Sequence, residues 1–134
     1  MRFADTTWWV PWSLPSDRNH AAAIAVASSL DNELVLTSNH VLGETWTVLR
    51  RTAGHLTATA LLDRVDQLVA ARRLVLVDVD DDTEAAAWWW LRGHDERGYS
   101  FVDATSFAVM RARKIRRALA FGGTFGSAGF DETL

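Results

Sequence analysis

Three acidic residues stand where a carboxylate can do chemistry. Asp5 closes a short stretch, Arg2-Phe3-Ala4, that reads as a strand. Asp103 follows Ser100 by three residues at the start of an apolar run. A hydroxyl and a carboxylate at that spacing satisfy orphan N–H groups at a helix start. Glu44 lies in a stretch of helical periodicity, on the flank of its apolar stripe. Oxygen ligands distant in sequence but gathered at one sheet edge suit Mg²⁺ or Mn²⁺. Blander readings stand beside this one: Asp5 as a turn cap, Asp103 as a helix cap alone, Glu44 as a solvated helix residue. Spacing alone does not bring the three together.

The elements that must position them follow from patterning. After the first strand, Thr6 and Thr7 form a turn, and Trp8 to Trp12 form a short helical piece broken by Pro11 and Pro15. Ser16 or Asp17 caps a second helix through Ala21, Ile24 and Leu30. Glu33 to Leu36 reads as a strand, with Thr37 or Ser38 capping the next helix. Val41, Leu42, Thr45, Trp46 and Leu49 form its stripe. Gly54 breaks that helix, and Leu56 to Ala71 is another. Leu74 to Val79 is the strongest strand signal, and its continuous apolar character predicts cover on both faces. Asp81 and Glu84 have capping-box spacing at the head of a helix carrying Trp88, Trp89 and Trp90. The helix from Ser100 runs to a basic end, Arg111, Arg113 and Lys114, suited to the negative end of its dipole. Arg117 to Phe121 is a strand ended by Gly122-Gly123, and a short segment closes the chain.

Such alternation implies an α/β protein: parallel strands, right-handed crossovers and helices on both faces. Ligands in such sheets gather at the carboxyl ends of the strands. Asp5, Asp103 and the region of Gly122 are therefore expected to converge.

Composition narrows the function. The 134 residues fit one domain, residues 1–134, with a real core. The absence of cysteine excludes disulfides and thiolate metal sites. No signal peptide opens the sequence and no apolar run approaches the ~20 residues of a membrane span, so a cytoplasmic protein is expected. A net charge of −3 argues against a uniformly basic nucleic-acid binder but leaves room for a local basic face at Arg111 to Arg117. That run also reads as a solvated helix end. The acidic run Asp78 to Asp82 lacks the glycine and later glutamate of a calcium loop and reads as a strand end and cap. The four histidines show no metal spacing. Trp8, Trp9 and Trp12 read as core or interface rather than as a platform for bases. Trp88 to Trp90 span about 200° of a helical wheel and cannot all face one core.

The blocks FADTTWWVPW, LTSNHVLGETW, SFVDATSFAVMRARKIRRALAF and FGSAGF, in this order, resemble the conserved blocks of PIN-domain ribonucleases, above all VapC-type toxins. The resemblance covers nearly the whole chain. It implies a three-layer α/β/α sandwich on a mostly parallel sheet. It further implies an Mg²⁺- or Mn²⁺-dependent endoribonuclease held inactive by a VapB-type antitoxin that presents an arginine to the acidic pocket. By the same resemblance Asp5, Glu44 and Asp103 are metal-site and catalytic residues. Arg111, Arg113, Arg116 and Arg117 become candidates for gripping RNA backbone, and a homodimer without membrane association is expected. The sequence departs from the family where acids are usual: it has Gly122 and Thr124. That departure leaves a second reading, a silent PIN-fold protein that binds antitoxin or RNA without cutting. A phosphoacceptor domain needs an acid pair after the first strand and a lysine near the last; Asp5 is followed by Thr6, and Lys114 precedes the strand. A nucleotide-binding domain needs phosphate-cradling glycines that the first turn lacks.

Overall fold

The computed structural model describes residues 1–133. Its strands are β1 (Arg2–Ala4), β2 (Val35–Ser38), β3 (Leu74–Val77), β4 (Arg117–Leu119) and β5 (Asp131–Thr133). They form one parallel sheet in the order β3-β2-β1-β4-β5. The helices are α1 (Thr6–Ser13), α2 (His20–Ser29), α3 (Asn39–Ala53), α4 (His55–Ala70), α5 (Asp81–Arg92), α6 (Phe101–Ala112) and α7 (Thr124–Ser127).

The chain steps outward from β1 through β2 to β3, then crosses back to place β4 on the other side of β1. Right-handed crossovers put α1 to α4 on one face for the outward steps and α5 to α7 on the other after the reversal. The expected three-layer α/β/α sandwich results. Reversal between β1 and β4 opens a crevice at their carboxyl ends, where ligands bind in open α/β sheets. No described helix is long and apolar enough to cross a membrane.

Phe3, Leu36 and Leu119 on the inner strands are buried between helices, against Val41 and Leu49 on α3, Phe107 and Met110 on α6, and Phe125 on α7. Trp8, Trp9 and Trp12 are buried and pack on one another with ring centroids 5.0 to 5.4 Å apart, so they are core. The Trp88 to Trp90 run divides as wheel geometry requires: Trp90 is 9% exposed, Trp88 52% and Trp89 76%.

Several boundaries differ from the sequence reading. Pro11 sits inside α1 without breaking it. Neither Ser16 nor Asp17 is the cap of α2; Asn19 is, and Asp17 Oδ1 accepts the Asn19 N–H at 2.8 Å in the preceding turn. β2 starts at Val35, and Glu33 before it pairs with Arg2 at 3.2 Å and with Arg117 at 3.6 Å. β3 is an edge strand, and Val75 and Leu76 are each 38% exposed rather than covered. Asp80, not Asp81, caps α5, accepting the Thr83 N–H at 2.8 Å. β4 stops at Leu119, two residues early, and Phe121 N–H leaves the ladder to donate to Thr7 Oγ1 at 3.0 Å.

Candidate metal centre

Asp5 is fixed by the two strands that bound the crevice. Its N–H donates to Leu119 O at 3.0 Å, which holds the end of β1 against β4. Asp5 then caps α1: Oδ2 accepts from Thr7 N at 3.1 Å and Thr7 Oγ1 at 2.8 Å. Because Thr7 Oγ1 also accepts from Phe121, one threonine ties the carboxylate to the turn after β4. Glu44 arrives through its neighbour. Buried Thr45 hydrogen-bonds Thr6 at 3.0 Å and the Val41 carbonyl at 2.7 Å, docking α3 on α1 and bringing half-buried Glu44 beside the Asp5-Thr6 junction. Asp103 is set by the capping box that its spacing predicted. Ser100 Oγ accepts Asp103 N–H, and Asp103 Oδ2 accepts Ser100 N–H, each at 2.9 Å. Ser100→Ala is expected to cost about 1 kcal/mol of stability, measurable as a denaturant midpoint shift with unchanged slope.

The Asp103 charge reaches both of the other carboxyl groups. Burial, aided by the Asp103 charge and opposed by the Thr7 hydrogen bonds, pushes Asp5 up to about 6. Burial and, after it, Asp103 also raise Glu44. Asp103 therefore faces both partners. Among the described residues, no cationic side chain pairs with any of the three. Their bare side chains stand too far apart to hold an ion directly, since no group of three His, Cys, Asp or Glu among the described residues is close enough. The donor set nonetheless fits a hard cation. All donors are oxygen, one is a buried carboxylate without a counter-charge, and Mg²⁺ keeps several waters that bridge such spans.

The turn after β4 contributes backbone, not acid. Gly122 and Gly123 have φ of +99° and +85°, a region that favours glycine. Glu132, on β5, folds its carboxylate over the turn and accepts Gly123, Phe125 and Gly126 N–H at 3.0, 2.9 and 3.2 Å. Spent on three donors, it does not replace the acids missing at 122 and 124. Arg97 Nη2 donates to Gly122 O at 2.8 Å on the outer side. Glu132 had no signal in the sequence beyond residue type, nor had the contacts of Thr7 with Phe121 and of Thr45 with Thr6, because each acts across a fold contact.

The basic run does not join this site. α6 begins at the acidic crevice and carries the chain about 18 Å back to the amino end of β4. Arg111 lies over Trp90, Phe107 and Phe130 at 5.5, 5.8 and 5.1 Å, as a lid on aromatic core. Arg117 pairs with Glu33. Arg113 and Arg116 stand exposed at the same far edge. Strand direction therefore places these four arginines at the opposite end of the sheet from the acids.

The PIN domain family pattern matches residues 2–130. Two *Mycobacterium tuberculosis* proteins (strains CDC 1551 / Oshkosh and ATCC 25618 / H37Rv), each named 23S rRNA-specific endonuclease VapC20, are 48% identical over 132 residues, covering 98% of this chain and 97% of theirs. The crystal structure of *M. tuberculosis* VapC20, described as a sarcin-ricin loop cleaving toxin, superimposes with a TM-score of 0.91 at 44% identity, covering 99% of this chain and 98% of that one. FitAcB from *Neisseria gonorrhoeae* shares the fold, with a TM-score of 0.71 at 18% identity over 100% of this chain and 97% of its own.

Proposed function

This chain belongs to the PIN-domain family, as a VapC-type endoribonuclease, and from that premise we propose that Asp5, Glu44 and Asp103 are its metal-binding and catalytic carboxylates. The observation that carries the reading is Asp5, a buried acid with no cation paired to it among the described residues, whose pKa is raised by burial first and by the Asp103 charge after it. A protein spends stability on such a group where a ligand repays it.

Asp5 and Asp103 would hold Mg²⁺ or Mn²⁺, in part through water. When bound, such an ion supplies charge to a phosphate oxygen and acidifies a water. Asp5 stays in place through Thr7, and Asp103 through Ser100. Glu44, whose pKa burial raises, would accept the proton of the attacking water as the P–O bond to the leaving ribose oxygen breaks. The substrate is ribosomal RNA of the class that names the relatives, and the protein acts in the cytoplasm as a homodimer, restrained by a VapB-type antitoxin. Residues 1–134 work as a single PIN-like domain; one sheet and one apolar cluster support this.

A second reading, binding without cutting, draws on Gly122 and Thr124, which supply no charge for a second ion. Purified protein incubated with a sarcin–ricin-type hairpin separates the two. Cleavage that needs Mg²⁺ or Mn²⁺ and disappears in Asp103→Ala is expected. Cleavage by Thr124→Asp but not by the parent would favour the silent reading instead. Thr124 is the cleaner position for this test, because it opens α7, whereas an aspartate at 122 meets the positive φ.

A further inference from the structure

An aromatic ledge stands at the lip of the acidic crevice. Trp88 on α5 stacks on Phe101, centroids 4.1 Å apart and planes 21° from parallel. The His40 ring lies 5.9 Å from Phe101, tilted by 46°. Trp88 keeps 52% of its surface exposed while stacked on Phe101. His40 leads into the site, one turn before Glu44 on the same face of α3, and Phe101 stands in the same first turn of α6 as Asp103. A groove of about 610 Å³, lined by His40, Glu44, Thr47, Arg51 and Val102, continues from there along α3.

We propose that the Trp88–Phe101–His40 ledge stacks an unpaired base of the RNA substrate next to the cleaved phosphate, with the groove toward Arg51 taking the adjoining backbone. This rests on the ribonuclease reading above. The chemistry matches the ligand. Single-stranded loops offer splayed bases, and an exposed indole backed by a second ring presents a rigid surface for any of them. The exposed Arg51 guanidinium at the groove's end suits phosphate. Trp89, more exposed than Trp88 but without a stacked partner among the described rings, lacks this arrangement and serves as a control.

The test is binding of a fluorescent sarcin–ricin-type hairpin in EDTA, where nothing is cut, alongside Mg²⁺-dependent cleavage. Trp88→Ala is expected to weaken binding about ten-fold and to raise KM with kcat little changed. Trp88→Tyr should recover most of the loss and Trp89→Ala should have no effect. In hairpins carrying a single abasic nucleotide, one position should lose as much as Trp88→Ala does, with no further loss when the two are combined. Equal binding by the parent and a folded Trp88→Ala, or additive losses at every abasic position, would overturn the proposal. So would conversion of a dimer to monomer by Trp88→Ala in sedimentation, since the ledge would then face a second copy. Binding readings stand even if no cleavage is seen, so a failed ledge and a failed nuclease reading give different results.

Discussion

Asp5→Asn is expected to abolish RNA cleavage while making the metal-free protein more stable at neutral pH. The two effects have one cause. Burial raises the Asp5 pKa from 3.8 to about 6, so folding costs about 3 kcal/mol once the group is charged. Sign follows from proton counting. Between those two values the folded state holds more protons than the unfolded one, so stability falls as pH rises from about 4 through 6, and the full penalty applies above. Asparagine keeps an oxygen to accept from Thr7 and carries no charge. At pH 7 the variant should melt roughly 5–10 °C higher than the parent in EDTA, and the gap should close by pH 4. Added Mg²⁺ should stabilise the parent, more so above pH 6, and leave the variant unmoved. Calorimetry across pH with and without Mg²⁺ checks all three. A variant that melts lower than the parent at pH 7 would mean that Asp5 is a structural cap and no more.

Glu132→Ala is the second large effect. One carboxylate accepts three backbone N–H groups of the Gly122–Gly126 turn, and charge-assisted bonds of this kind are among the stronger ones. Removal should cost about 2–3 kcal/mol and release the turn, which is linked to Asp5 through Phe121 and Thr7. Glu132→Gln keeps an oxygen for Phe125 and Gly126 but points an amide at the Gly123 N–H, so an intermediate loss is expected. Amide exchange reads this directly: protection at Gly123, Phe125 and Gly126 should fall in Glu132→Ala and, for Gly123 alone, in Glu132→Gln. Cleavage should fall with it, because the turn forms one wall of the crevice. Unchanged exchange at those amides would show that the turn holds itself.

What the sequence by itself determined is whatever local chemistry decides. Ser100 and Asp103 form their capping box because both partners lie within one helical turn, where three-residue spacing is a distance. Asp5 caps α1 for the same reason, because a strand ending in an acid and two threonines brings donor and acceptor together across a single turn. The alternation of strands and helices gave the layers, since connection handedness leaves little choice.

Only the tertiary structure decided the rest. The apolar stretch at Leu74 cannot announce that β3 has a neighbour on one side alone; edge position belongs to sheet order. β5 is three residues with two acids, and it is a strand because β4 presents an open edge. The basic run from Arg111 has the composition of a phosphate grip, yet strand direction puts it at the opposite end of the sheet from the acids. Glu44 and Thr45 show the same limit on a smaller scale. Nothing in α3 marks one glutamate as special until a buried threonine pair docks that helix on α1. Periodicity says which face of a helix is buried, and only packing says what that face is buried against.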